Sequence, residues 1–251
     1  EMEFNRLLSQ AISFYGEPGK KTESRETAQE KIDLTKYESI VTEKQLESWV
    51  SILKKQSLIS VDTETSSLNL IEADLLGISF CYEQGKACYI PLKNQKEKCL
   101  NSDTVLKKIK PILEDESIKK VGQNIKFDYV IFKKNKINIK SMEDTMLASY
   151  TLDAGLNRHN LDMLSEIHLG HKTISFKDLV GSGKKKITFV DVDLKKATEY
   201  AGEDADVTFR LYQLLKQRLD QEKLTKIYEI FEKPMVEVLS EIEINGVKVD
   251  K

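Results

Sequence analysis

The sequence predicts an α/β fold, and three observations carry that prediction. Residues 58–61, "LISV", form an apolar run of strand type that leads straight into polar residues. Residues 74–92 read as two apolar runs joined by the turn "EQGK", the pattern of a β-hairpin. Around these lie segments whose apolar residues recur every three or four positions, the period of an amphipathic helix.

Composition bounds the class of protein. The chain has 251 residues, 40% hydrophobic and 32% charged, which predicts a globular protein of one large domain or of one domain plus extensions. No apolar run approaches the roughly 20 residues of a membrane helix. The first residues lack the basic segment and apolar stretch of a secretion signal. Three cysteines, Cys81, Cys88 and Cys99, have no metal-ligand spacing and predict a reducing compartment. The net charge of −2 excludes the strong basic excess of an autonomous nucleic-acid binder. Any nucleic acid must be held by local features.

Along the chain, residues 3–15 have helical spacing, and residues 16–31, rich in glycine, charge and hydroxyls, read as a linker. A short strand and a helix follow. Thr42 is a good N-cap, with Leu46, Trp49, Val50 and Leu53 on one helical face. The strand at 58 and the hairpin make three antiparallel neighbours. From residue 103 the pattern is mostly helical, with "IKKVGQN" as a short strand leading to a helix. "GSGKKKITF", residues 181–189, is a loop. A helix begins near Leu194 and continues past Asp204. The last segment is a helix closed by Asn245 and Gly246.

The chemistry lies in three acidic segments. In "VDTET", Asp62 and Glu64 are two apart and share one face of the strand. Like charges side by side are costly unless neutralised. A strand end emerging into water would explain them; so would a divalent cation with oxygen ligands. In "VGQNIKFDYVIF", Asn124 and Asp128 are four apart on one helical face. A capping Asn followed by an exposed Asp would read the same way. In "EYAGEDADVTFRLY", Tyr200 and Asp204 are one turn apart. There Glu203, Asp204 and Asp206 crowd together beside Val207, Leu211 and Leu214, an expensive arrangement without a cation. Together a strand and two helices offer four carboxylates, enough hard oxygen for two divalent metals about 4 Å apart. Such a pair suits phosphoryl transfer. No GxxxxGK[ST] loop is present to bind a triphosphate, so the expected reaction is hydrolysis of a phosphodiester.

"VDTET", "GQNIKFD" and "YAGEDAD" resemble the three ordered motifs of the DEDDy 3′–5′ exonucleases, in particular the proofreading domain of bacterial-type family A DNA polymerases (polymerase I). The resemblance runs from about Ile32 to the C-terminus. It includes "LEDESIKKVGQNIKFD", "KTISF", and "INGVKVD", which resembles the approach to the polymerase domain. It implies a ribonuclease H-like α/β fold: a mixed sheet with helices on both faces and the acids at the strand edge. It divides the chain into an extension and linker (1–31), an exonuclease domain (32–225) and a connecting helix (226–251).

The resemblance also implies roles. Asp62 would bridge both metals, Glu64 and Asp204 would complete the tighter site, and Asp128 would hold the second metal. Tyr200 would orient the attacking water. Leu68 would wedge against the terminal bases. Gln123, Asn124 and Phe127 would line the single-strand path, with Arg158 and Phe176 near the terminal nucleotide and its phosphates. The cofactors implied are two divalent ions, Mg2+ first, with Mn2+ or Zn2+ as alternatives. The partners implied are a single-stranded or frayed 3′ end of DNA and a polymerase domain in the same polypeptide, with no membrane and no oligomer. The setting implied is the bacterial cytoplasm and nucleoid, or an organellar matrix. The competing readings are an RNA-trimming exonuclease of the same superfamily and a non-catalytic domain that positions DNA.

Overall fold

The computed structural model describes residues 32–183 and 186–249. The predicted helix at 3–15 and the linker at 16–31 lie outside the described residues, as do Lys184 and Lys185.

Six strands form one mixed sheet in the order β1-β4-β3-β2-β5-β6. They are β1 (Glu38–Ser39), β2 (Leu58–Thr65), β3 (Leu75–Glu83), β4 (Lys86–Pro91), β5 (Lys119–Gly122) and β6 (Met142–Asp144). The predicted hairpin is β3–β4, turning at Gln84 and at Gly85, whose φ of 76° suits glycine. β2 pairs antiparallel with β3 and parallel with β5. β2 is therefore an interior strand, and its acids lie at the strand's end, not at an edge of the sheet. The strand also runs on through both acids, beyond the four residues whose apolar character announces it.

Helix α1 (Glu43–Leu53) starts as predicted, with a capping box between Thr42 and Gln45. It buries Leu46, Trp49 and Leu53. With α2 (Ser102–Leu113) and α3 (Ile125–Lys134) it covers the sheet face that carries Ile59, Val61, Ile78, Phe80 and Ile90. The chain continues through α4 (Thr145–Asp153), α5 (Leu161–Leu169) and α6 (Phe176–Val180). The other face is crossed by α7 (Leu194–Gln221), a helix of 28 residues. Small residues let α7 lie close to the sheet. Ser60 Oγ donates to the Ala205 carbonyl at 2.7 Å, and a Cβ on Gly202 would come within 2.7 Å of the Tyr37 ring. Helices thus cover both faces, as predicted. A short turn α8 (Thr225–Ile227) leads to α9 (Lys233–Asn245), which ends at Gly246 with φ 67°.

Candidate active site

Strand alternation assembles the site from both faces of the sheet. Ser60, Asp62 and Glu64 point to the side of α7, while Ile59, Val61 and Thr63 point to the side of α3. Asp62 and Glu64 therefore meet Asp204 of α7. Single oxygens of these three carboxylates lie within 4.8 Å of one another. Thr63, between them in sequence, meets the other helix: its hydroxyl donates to Asp128 Oδ1 at 2.6 Å. Asp128 thus stands beside the trio but outside its tightest grouping.

Among the described residues, no cationic side chain pairs with this cluster. Desolvation raises the Asp62 carboxyl to about 7. Burial, then the charges of Asp62, Asp204 and Asp128, holds Glu64 well above the ordinary carboxylate range. Burial and the charge of Asp62 do the same to Asp204 and Asp128, with the Thr63 hydrogen bond opposing the shift at Asp128. Glu64 Oε1 is buried without a hydrogen-bond partner among the described residues. A buried oxygen with no donor is expensive. Four converging carboxylates, all hard oxygen donors, fit a divalent cation of the Mg2+ or Mn2+ type.

Tyr200 lies one turn before Asp204 on α7. Burial, then the charge of Asp204, holds its phenol protonated far above neutral pH. Its ring packs edge-on against Phe176 and Phe189, with centroids 6.0 and 6.3 Å away.

A cleft of about 840 Å³ opens over these groups, lined by the four acids and Tyr200. Leu68, Gln123, Asn124, Phe127 and Phe176 line it too. Leu68 is 90% exposed, on the loop after β2. Gln123 is already engaged: it donates to the His159 carbonyl at 2.7 Å and accepts from Thr145 Oγ1 at 2.6 Å. It thereby ties down the 154–160 loop. Arg158 stands exposed on that loop and is not among the lining residues. Phe176 is neither core nor isolated. It is 44% exposed and stacks on the buried Phe189 ring at 6.3 Å and 6°.

The family described as 3′–5′ exonuclease matches residues 37–220. This chain belongs to that 3′–5′ exonuclease family. Among its relatives, DNA polymerase I of Rhizobium leguminosarum is 40% identical over 226 residues, covering 82% of this chain and 22% of the relative. DNA polymerase I of Pseudomonas aeruginosa is 37% identical over 257 residues, covering 100% of this chain and 28% of the relative. The chain thus spans about a quarter of the length of these relatives. Among solved structures, Brucella melitensis NrnC superposes with a TM-score of 0.60 at 23% identity, covering 76% of this chain and 87% of NrnC. A complex of Pol1 from M. smegmatis gives 0.66 at 18% identity, covering 84% of this chain and 33% of that one. These likenesses carry the ribonuclease H-like fold.

The candidate site has supports that sequence reasoning missed. Asp144, at the end of β6, is buried and caps two helices at once. Its Oδ1 accepts from the Asn124 and Met146 amides at 3.1 and 2.8 Å, and its Oδ2 from the Ile125 amide at 3.0 Å. Asn124, which reads as a cap in sequence, makes no side-chain cap and sits left-handed at φ 59°. Asp128 is buried, not exposed. The acid crowd on α7 also differs from expectation, because only Asp204 needs a cation. Glu203 is paired with His171 Nε2 at 2.7 Å and accepts the Ile174 amide at 2.6 Å. Asp206 is paired with Arg210. The Glu203 contacts fix the 171–174 segment that delivers Phe176 to the cleft. Phe189 could have been suspected from "ITF", where an aromatic closes a polar loop.

Proposed function

We propose that this domain is the proofreading part of a DNA polymerase I, removing mononucleotides from the 3′ end of DNA. The observation that carries the reading is the convergence of Asp62, Glu64 and Asp204 within 4.8 Å, with no cationic partner among the described residues. Asp62, Glu64 and Asp204 would hold one divalent ion, Mg2+ by hardness and availability. Asp62 and Asp128 would hold a second. When bound, such a pair supplies Lewis acidity at the terminal phosphodiester and lowers the pKa of the attacking water.

The protein's own groups do the rest. Tyr200, kept protonated and packed between Asp204 and the aromatic rings, orients the water through its hydroxyl. Thr63 fixes the rotamer of Asp128. Leu68, Gln123, Asn124, Phe127 and Phe176 accept a single strand without reading base edges, which a proofreader requires. Arg158, on the loop tied by Gln123, would meet a phosphate of the bound strand. The products are nucleoside 5′-monophosphates.

The polymerase part is proposed to cover α9. That helix turns Val236 and Ser240 inward, yet Met235, Val238 and Ile242 on another side are 42%, 49% and 52% exposed, and Phe231, just before the helix, is 65% exposed. An apolar stripe of this size marks an interaction surface.

The reading is tested with 3′-labelled and 5′-labelled strands of DNA and RNA, with Mg2+ or EDTA. Mg2+-dependent release of labelled mononucleotide from the 3′-labelled DNA is expected. Faster release from RNA than DNA would favour a trimming enzyme. No release from any strand by folded, metal-loaded protein would reduce the domain to DNA positioning.

A further inference from the structure

The cleft is lined by four carboxylates and, among the described residues, a single cation, Lys186. A polyanion entering it meets repulsion from every charged group but one. Lys186 is exposed, and its ammonium pairs with no carboxylate among the described residues. Most lysines this free are solvated surface, but this one sits on a fixed segment. Its amide donates to the Gly183 carbonyl at 3.2 Å, and the next amide, of Ile187, donates to Val180 at 2.9 Å. Thr188 is locked to Asp191 through its amide at 3.2 Å and through its hydroxyl at 2.5 Å. Phe189 then buries its ring under Phe176. The backbone of Lys186 and of residues 187–189 is therefore held while the Lys186 side chain stays available over the cleft.

We propose that Lys186 binds a backbone phosphate of the single strand next to the aromatic pair Phe176–Phe189, giving the cleft its own attraction for a polyanion. The proposal rests on the DNA reading above. Its ligand is a nucleic-acid phosphodiester, recognised by charge alone. Neutralising the acids with metal ions would end their repulsion; Lys186 supplies attraction that the acids cannot.

The experiment compares Lys186→Gln, Lys186→Arg and Lys177→Gln, each in an Asp204→Asn background that blocks hydrolysis. Lys177 is the control, an exposed lysine on α6 that does not line the cleft. The affinity for a short oligothymidylate is measured across a salt series. Losing one phosphate contact should flatten the log–log salt slope by about 0.7. It should also weaken binding about three- to fivefold, the size of a solvent-screened charge contact. Lys186→Gln is expected to show both changes, whereas Lys186→Arg and Lys177→Gln keep the parental slope. An unchanged slope in Lys186→Gln, or an equal loss in Lys177→Gln, overturns the proposal while leaving the DNA reading intact. A folded parent that binds no oligothymidylate at any salt overturns both.

Discussion

Asp204 and Asp206 stand two residues apart on α7, and each is withdrawn from bulk water in its own way. Asp206 is fully buried and fully used. It accepts the Tyr37 hydroxyl at 2.9 Å, the Gly85 amide at 3.0 Å, and Arg210 Nε and Nη2 at 2.9 and 3.2 Å. Asp204 faces Asp62 and Glu64 with, among the described residues, the Tyr200 phenol as its hydrogen-bonding side chain, and its carboxyl is pushed well above the ordinary range. The two differ in burial, Asp204 being half-buried at the cleft, but above all in partners. A carboxylate whose lone pairs are satisfied by the fold is structural. One held against other carboxylates is kept for a ligand the fold does not supply.

The largest effects should separate these two acids. Asp204→Asn, or Asp62→Asn, is expected to reduce hydrolysis by about 10³-fold or more, the scale of removing a preorganised group that stabilises charge. Unfolding in EDTA should show the same variants at least as stable as wild type, because repulsion is relieved. Asp206→Asn should do the reverse. It leaves Arg210 without its buried partner, so stability falls by about 3 kcal/mol, while turnover per folded molecule is nearly kept. Denaturant titration and single-turnover assays on the same samples check both. Comparable activity losses in Asp204→Asn and Asp206→Asn would erase the distinction.

How far this contrast was legible in sequence depends on the range of each partner. The motif acids announce themselves because their partners are two or four residues away, on spacings that a strand or helix converts into one face. The α1 capping box and the β3–β4 hairpin are local in the same sense. Only half of what satisfies Asp206 is local: Arg210 is four residues on, but Tyr37 is 169 residues distant. Asp144 was missed for a related reason: β6 has only three residues, too few to show alternation, and the helix it caps besides its own starts nineteen positions earlier. The Glu203–His171 pair joins α7 to a segment with no periodic pattern.

A smaller effect should come from Tyr200→Phe. It removes one hydroxyl and keeps the ring packed on Phe176 and Phe189, so the loss should be about 10²-fold or less in single-turnover rate at saturating metal. Melting temperature should barely move. A loss equal to that of Asp62→Asn would give the phenol a larger role than orienting water.

The pH dependence sharpens the contrast further. The Asp62 carboxyl stands near 7 and the Asp144 carboxyl near 6, both raised from an ordinary 3.8 by burial. A raised acid binds its proton more tightly in the folded state. As the pH climbs from about 4 to about 7, the unfolded chain ionises first, so each group subtracts stability over that window. In EDTA, wild type should therefore lose stability relative to Asp62→Asn as pH rises through the window. Saturating Mn2+ should remove the difference in trend. A gap between the two proteins that stays constant from pH 4 to 7 would mean that Asp62 titrates normally.

The central claim is that the unsatisfied acids, and not the satisfied one, hold divalent metal. Calorimetric titration of Mn2+ into wild type, Asp204→Asn and Asp206→Asn, without nucleic acid, tests it most directly. Wild type and Asp206→Asn should bind Mn2+ alike, and Asp204→Asn should bind at least tenfold more weakly, a difference of about 1.4 kcal/mol. Wild-type affinity in Asp204→Asn would contradict the account.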